Sequence, residues 1–237
     1  MKIEFTSVIE MENSIFHPFP ASSVVPDWYR KMPMHIGGNE KSFVDGFPNS
    51  TIKRCVPVAD AMGAGYIIPT YQDVVVSDQI QQDGSSLPYF SWRGNNENFA
   101  VIDFHQVSQA PIHPIANGNP FPKWNNPWAI KTPLGHSVIF CNPMHRDNGI
   151  FTIFPGIVDT DSYSAPVNFP FQLNNPDFRG IIPAGTPICQ IIPFKRDEWD
   201  MVIENNNPEK SKHITSGLVR LIWNSCKRQY WSRKEFR

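Results

Sequence analysis

Two closely spaced carboxylates are the side chains in this sequence best suited to chemistry. Asp159 and Asp161 follow an apolar run at 154–158, and Tyr163 comes two residues after Asp161. A carboxylate in such a turn can orient a water molecule as a general base, or it can bind a divalent cation. It can also cap the turn through local hydrogen bonds, which is a common role for aspartate in β-turns. The spacing alone leaves these three roles open.

A second set of candidate residues combines two histidines with a carboxylate. His145 and Asp147 are separated by one residue, and His213 and Arg220 lie further along the chain. Two imidazoles and one carboxylate suit non-haem iron, and the order resembles the His-x-Asp…His…Arg set of Fe(II)/2-oxoglutarate oxygenases. His213 falls at the start of a predicted helix, where the oxygenase fold has a strand. Surface or capping histidines are the alternative interpretation.

Short strands must position these side chains. The sequence has 23 prolines and 13% aromatic residues, a composition that favours short strands joined by stiff turns. Strands are predicted before and after the turn that contains the two carboxylates, and the last of them is the apolar run that ends at Phe194. The other candidate strands are 1–10, 51–58, 66–69, 72–76, 99–105, 137–141 and 149–154. Many short strands at this spacing predict a mainly β fold, a sandwich or a barrel.

The pattern indicates one domain over 1–237, in three parts. Residues 1–50 form an N-terminal strand and arm, with a helical turn predicted at 26–32 after Pro26. Residues 51–204 form the β body. Residues 205–237 form a C-terminal helix and a basic tail. The helix is predicted at 209–232, with Leu218, Leu221 and Ile222 buried against the sheet and the aromatic residues of the tail packed on it.

Composition excludes several classes of function. The formal net charge is −1, so there is no strong signal for nucleic acid or an anionic membrane. The four cysteines lack the close pairs typical of zinc sites, and we expect free thiols in a reducing compartment. No signal peptide or membrane span is predicted. We therefore expect a protein of the cytoplasm or of a virion that is not secreted, and no resident cofactor.

The segment 154–194 resembles a known superfamily. Its order Gly-Ile-Val-Asp-x-Asp, a tyrosine, then Gly-x-x-Ile-x-Gln-Ile is similar to the third and fourth motifs of the dUTPase and dCTP deaminase superfamily. The resemblance implies a β-clip or jelly-roll-like body. It also implies that Asp159 orients the attacking water and the deoxyribose, that Tyr163 packs under the sugar, and that Gln190 contacts phosphate at a neighbouring subunit's site.

Three further residues are candidates for binding. Asp161 belongs to the same motif, and Lys131 and Ser137 bound a short stretch that echoes the superfamily's Arg-Ser-Gly motif. The family's Gly-Asp-Arg is Gly185-Thr186-Pro187 in this chain, which lacks a phosphate-contacting arginine. A hydrolase would then need magnesium to bridge the phosphates. No glycine-rich C-terminal motif follows.

Over its whole length the chain resembles an uncharacterised family of bacteriophage and bacterial proteins. The matching signature includes Val-Pro-Asp-Trp-Tyr at 25–29, Asn-Pro-Trp at 126–128 and Pro-Phe-Lys-Arg at 193–196. The resemblance implies a viral source, and it implies no activity.

A non-catalytic binding or assembly protein is therefore the first expectation, with self-association or other viral proteins as its partners. Hydrolysis of dUTP or dCTP is not expected, because the missing arginine and glycine-rich motif would supply most of the electrostatic stabilisation. A divergent nucleotide hydrolase of the dUTPase type is the second hypothesis. An Fe(II)/2-oxoglutarate-type oxygenase is the third.

Overall fold

Antiparallel strands dominate the structure. A computed structural model of the chain describes residues 1–10, 16–36, 50–92, 99–110, 112, 121–204, 207–219 and 231–237. Strands make up 36% and helices 16%, and the several sheets do not close into a barrel. The prediction of a mainly β fold with a short C-terminal helix is confirmed, and the arrangement is consistent with a β-sandwich.

The chain divides into two compact units. The first contains Met1–Val24, Met62–Arg196 and Phe236, and the second contains Val25–Ala61, Asp197–Glu235 and Arg237. The prediction that all of these residues form a single domain stays a prediction.

Fourteen strands and three α-helices lie in the parts of the chain that the structure describes. The strands are β1 (Glu4–Ser7), β2 (Phe19–Pro20), β3 (Tyr66–Pro69), β4 (Val74–Ile80), β5 (Ser86–Trp92), β6 (Ile102–His105), β7 (Phe121–Trp124), β8 (Trp128–Lys131), β9 (His136–Cys141), β10 (Phe151–Ile153), β11 (Gly156–Val158), β12 (Phe169–Leu173), β13 (Gly180–Ile182) and β14 (Pro187–Lys195). The helices are α1 (Asp27–Lys31), α2 (Val56–Gly63) and α3 (Pro208–Val219).

The strands of the first unit pair in four sheets. The largest has the order β11-β9-β14-β3-β2, and a four-stranded sheet has the order β10-β12-β7-β6. A three-stranded sheet, β13-β4-β5, and the pair β1-β8 complete the set. Every pairing between these strands is antiparallel.

Alternating side chains explain how these strands build the core. In β12, Phe169, Phe171 and Leu173 are buried, and the two residues between them are less so. Period-two burial is what a strand with one face on a core requires. Trp124 stacks on Phe171, with ring centroids 5.2 Å apart. One apolar cluster then joins residues from the four sheets.

The strand predicted at 51–58 is wrong. Ile52–Arg54 form a 3₁₀ turn and α2 begins at Val56. The β-branched residues of this stretch favoured a strand, but Pro57 occupies the first turn of the helix, where its missing N–H is not needed. Alanines and methionine then continue α2, since both are good helix formers.

The C-terminal helix is described over a shorter range than predicted. α3 begins at Pro208, and the side chain of Asn207 accepts a hydrogen bond of 3.1 Å from the Lys210 N–H, as an N-cap does. Leu221 and Ile222 lie outside the described residues, so their predicted burial stays a prediction. Among the residues described, no helix has both the length and the apolar character to cross a membrane.

The chain terminus is held by specific contacts. The Phe236 ring packs edge-on against Tyr66 of the core, with centroids 6.0 Å apart. This confirms, for Phe236, the prediction that aromatic residues of the tail pack on the sheet. Within the second unit, the Trp231 Nε1–H and the Lys234 Nζ both donate to the Asp60 carboxylate, at 3.0 and 2.7 Å.

Candidate functional site

Three antiparallel strands bring the two carboxylates next to an arginine. β9 lies between β11 and β14, with Val138 opposite Val158 of β11 and His136 opposite Lys195 of β14. The chain just after β11 and the chain just after β14 therefore both flank the start of β9. Asp159 and Asp161 leave one side of β9 and Arg196 leaves the other.

Asp161 is the more deeply placed carboxylate. Only 3% of its side chain is exposed. The Gly135 N–H donates to its Oδ2 at 2.8 Å, and the Arg196 guanidinium donates to both of its oxygens, at 3.1 Å to Oδ1. The hydrogen bond from Arg196 and that from Gly135 lower the pKa of Asp161 from 3.8 to about 2. The same ion pair raises the pKa of Arg196.

Asp159 shares the arginine but remains open to solvent. Its Oδ1 accepts a hydrogen bond of 2.6 Å from the Ser137 hydroxyl and lies 3.3 Å from Arg196 Nη1. The side chain is 62% exposed. Arg196 Nη1 also donates to Ser137 Oγ at 3.0 Å. Two carboxylates, a hydroxyl and a guanidinium therefore form one hydrogen-bonded cluster, the Asp–Arg cluster of Ser137, Asp159, Asp161 and Arg196.

The backbone of the turn supports the cluster. The Asp159 carbonyl accepts hydrogen bonds from the N–H groups of Ser162 and Tyr163, at 3.1 and 2.9 Å. The hydroxyls of Thr132 and Thr160 are 2.7 Å apart, which ties the end of β8 to the same turn. Lys131, the last residue of β8, is exposed and lies opposite Glu4.

Gln190 does not join this cluster. It is fully buried on β14, opposite Cys141 of β9. That position is three residues along β14 from Pro193, the partner of Val138, which is about 10 Å at 3.3 Å per residue. The Gln190 Oε1 accepts from the Met144 N–H at 2.8 Å, and the Nε2 donates to the Ala64 carbonyl at 2.7 Å. Its amide therefore fastens two backbone segments to the sheet.

Of the six residues suggested by the superfamily resemblance, the structure brings four together, while Lys131 ends β8 and Gln190 lies further along the sheet. Asp159, Asp161 and Ser137 share hydrogen-bonding partners, and the exposed Tyr163 is in the same turn. Gln190 lies elsewhere in the sheet. Arg196 had no role assigned from the sequence, although it ends the Pro-Phe-Lys-Arg stretch at 193–196. Its position one residue past a strand that pairs with 136–141 is the signal that could have located it.

Asp147, one residue of the iron hypothesis, has a local structural role, and Arg220 lies outside the described residues. Asp147 Oδ1 accepts from the Gly149 N–H at 2.8 Å, which closes a local turn, and His145 has a positive φ of 58°. His213 is exposed on α3. Within the described ranges, no group of three or more His, Cys, Asp or Glu side chains is placed to hold a metal. The oxygenase hypothesis therefore depends on the sequence order alone.

Comparison with known proteins assigns no family. No family model matches the chain, and no curated protein matches it. The case for a function therefore depends on the residues and geometry of the chain itself.

The low pKa of Asp161 predicts an acid-dependent loss of stability. A carboxylate with a lowered folded-state pKa stabilises the fold above its ordinary value, here 3.8, and that contribution disappears as the pH falls through the folded-state pKa of about 2. We expect Asp161→Asn to lower the urea midpoint near neutral pH. The difference in urea midpoint between this variant and the wild type should shrink as the pH is lowered from 3.8 to about 2.

The matched control for this titration is Glu10→Gln, which alters an exposed carboxylate away from the Asp–Arg cluster. Its urea midpoint should follow that of the wild type across the same pH range. A gap between wild type and Asp161→Asn that stays constant down to about pH 2 would contradict the assignment of a buried ion pair.

Proposed function

We propose that this protein is a non-catalytic binding or assembly protein on a dUTPase-like β scaffold, and that it self-associates. The observation that carries the proposal is an exposed apolar segment at 199–203. The pairing of Asp159 and Asp161 with Arg196 supports it, because these contacts link the chain after β11 to the chain after β14.

The apolar segment is defined by four side chains in five consecutive residues. Trp199, Met201, Val202 and Ile203 are between 69% and 89% exposed. The segment lies in the second unit, in a stretch to which neither helix nor strand is assigned. A contiguous group of large exposed apolar residues is typical of a protein interaction site. Burying each of these side chains fully would contribute about 1.5–3 kcal/mol.

The lack of regular structure leaves such a segment able to pair with another chain. A stretch outside regular structure can add as a strand to the edge of a sheet, with alternate side chains entering pockets. Asp200 interrupts the apolar residues and Glu204 follows them. The negative charges of these two carboxylates repel other copies that approach in the wrong register, so they disfavour non-specific aggregation. A contact in one specific orientation then remains favourable.

The Asp–Arg cluster supports a non-catalytic role. Asp161 is buried in an ion pair, and Arg196 and Ser137 both bind Oδ1 of Asp159. Gln190, which the superfamily resemblance assigns to phosphate, uses both ends of its amide on backbone groups. Arg196, the cation of the cluster, is therefore already paired with two carboxylates, which weakens its ability to stabilise a triphosphate.

The proposed partners are a second copy of this chain or other viral proteins. The resemblance to bacteriophage proteins supports a virion-associated or cytoplasmic location. No cofactor is part of the proposal.

One observation favours the second candidate, a divergent hydrolase of the dUTPase type. Asp159 is open to solvent and the exposed Tyr163 lies in the same turn. A sugar could pack on an exposed tyrosine ring beside such a carboxylate, and bound magnesium would supply charge stabilisation to the phosphates.

Self-association can be measured by sedimentation velocity on the full chain. We expect the wild type to sediment above the mass of the 27.0 kDa chain at micromolar concentration. Trp199→Ser combined with Val202→Ser removes two large apolar contacts, which should weaken association by at least about tenfold, the equivalent of 1.4 kcal/mol. Leu134→Ser is the matched control, because Leu134 is also exposed but lies outside the segment.

Two outcomes would overturn the proposal. A wild type that stays monomeric to the highest soluble concentration contradicts self-association through the apolar segment. Turnover of any of the common nucleoside triphosphates with magnesium, abolished by Asp159→Asn in a protein that remains folded, would establish the hydrolase instead.

A further inference from the structure

The apolar segment lies within a strongly acidic stretch of the chain. Residues 197–204 contain four carboxylates and no lysine or arginine, and the carboxylates are Asp197, Glu198, Asp200 and Glu204. All four residues are exposed, as are the large apolar side chains between them. A surface that buries this stretch must offer apolar side chains and positive charge together, because a desolvated carboxylate without a compensating cation is costly.

A basic patch in the same unit has this combination. It consists of residues 25–36 and 50–54, which include four cations and one acid, Asp27. The cations are Arg30, Lys31, Lys53 and Arg54. Large apolar side chains of the patch are between 41% and 59% exposed, and they are Val25, Trp28, Met34, Ile36 and Ile52. The patch therefore has a formal charge of +3, and the acidic stretch has a formal charge of −4.

Hydrogen bonds hold the two parts of the basic patch together. The Lys53 Nζ donates to the carbonyls of Arg30 and Met32, at 2.8 Å to each, where α1 ends. In the other direction, the Tyr29 hydroxyl donates to the Lys53 carbonyl at 2.9 Å. The patch is thus preformed, and a preformed surface loses little conformational entropy when it binds a partner.

Two cations of the patch extend into solvent. The side chains of Arg30 and Lys31 are 67% and 77% exposed, and both contact the Asp27 carboxylate. One carboxylate shared by two cations leaves a net positive charge on α1. Exposed ion pairs are weak, so both cations can also contact carboxylates of another molecule.

The acidic stretch and the basic patch are both open in the described chain. Trp199, Met201, Val202 and Ile203 are at least 69% exposed, so the basic patch of the same chain does not cover them. A second copy supplies the missing partner for each surface. In a two-fold pair, the acidic stretch of each copy meets the basic patch of the other, and the contact is made twice.

From these features we propose that the acidic stretch at 197–204 docks on the basic patch of a second copy, and that the reciprocal contact closes a two-fold dimer. Apolar side chains of the two surfaces pack together, and the carboxylates face the cations and fix the orientation. The inference rests on the proposed function and adds the surface that receives the apolar segment.

The test reverses the charge of each surface and measures dimer dissociation constants by sedimentation velocity on the full chain. The patch-reversed variant combines Arg30→Glu with Lys31→Glu, and the segment-reversed variant combines Glu198→Lys with Asp200→Lys. Like charges meet twice in each variant dimer, so we expect at least about tenfold weaker dimerisation than in the wild type. An equimolar mixture of the two variants should dimerise within about threefold of the wild type, because opposite charges then meet at both contacts.

A matched control changes the net charge outside both surfaces. Lys2→Glu combined with Arg233→Glu reverses two exposed cations, as the patch-reversed variant does. It should dimerise within about twofold of the wild type. Raising the salt concentration from about 0.05 M to about 0.5 M should weaken the wild-type dimer at least about threefold, since salt screens exposed charges.

Three results would overturn the inference. They are a mixture that dimerises no more tightly than its components, a wild-type dimer that is indifferent to salt, and a segment-reversed variant that dimerises like the wild type. The last result decides even where the patch-reversed chain does not fold, because residues 198 and 200 lie outside helices and strands.

The same measurements separate this inference from the self-association on which it rests. If one of those results is found while Trp199→Ser combined with Val202→Ser still weakens association, the apolar segment is the contact and only the receiving surface is wrong. A wild type that stays monomeric overturns both.

Discussion

Replacement of Gln190 with leucine should lower the free energy of unfolding by about 2–4 kcal/mol, because it leaves two backbone groups without partners. In the wild type, the Met144 N–H donates to Gln190 Oε1 at 2.8 Å, and the Ala64 carbonyl accepts from Nε2 at 2.7 Å. Leucine has a similar volume, so it leaves little cavity, and the loss reports mainly on the hydrogen bonds. Urea unfolding followed by circular dichroism measures it.

The control for this variant is Gln82→Leu, which removes an exposed amide from the β4–β5 turn. It should change the free energy of unfolding by less than about 0.5 kcal/mol, as surface substitutions usually do. If Gln190→Leu were as stable as the wild type, the amide would have no structural role. A phosphate-contacting role, as in the dUTPase resemblance, would then regain support.

Substitution of Gly65 by alanine should be more damaging still. Gly65 has a φ of +67°, and a Cβ there would overlap the carbonyl oxygen of Ile191 and lie 2.9 Å from its carbonyl carbon. The left-handed conformation costs about 1–2 kcal/mol for a residue with a side chain. The overlap requires β3 and β14 to separate as well, so we expect a total loss of more than about 3 kcal/mol, or a chain that does not fold.

A second glycine separates these two contributions. Gly84 has a φ of +81°, and nothing lies within 4 Å of a Cβ added to it. Gly84→Ala should therefore show the cost of the left-handed backbone alone, about 1–2 kcal/mol. Equal losses in the two variants, measured by urea unfolding, would mean that the approach of β14 to Gly65 has no energetic consequence.

Both sites lie where β14 meets β3. They give Gln190 a structural role in place of the phosphate contact that the sequence resemblance implies. Gln190 of β14 donates a hydrogen bond to the Ala64 carbonyl just before β3, and the lack of a side chain at Gly65 lets the backbone of β14 approach closely. The segment 154–194 therefore also supplies β14, the central strand of the largest sheet. A sequence likeness of this kind can follow from fold as well as from catalysis.

The sequence by itself determined the local elements. A short apolar run located β3 at 66–69, and Pro26 marked the start of the helical turn that is α1. High proline and aromatic content indicated many short strands. These predictions succeeded because apolar runs and proline geometry act within a few residues. The stretch at 51–58 failed because strand propensity is weak beside the requirements of packing.

Tertiary structure alone decided which side chains meet. Asp161 and Arg196 are 35 residues apart, and they are neighbours only because β11 and β14 flank the same strand in a particular register. Gln190 meets the Met144 and Ala64 backbone because β14 is flanked by β9 and β3. Register and burial are properties of the whole fold, since a slip of one residue would turn each of these side chains to the other face.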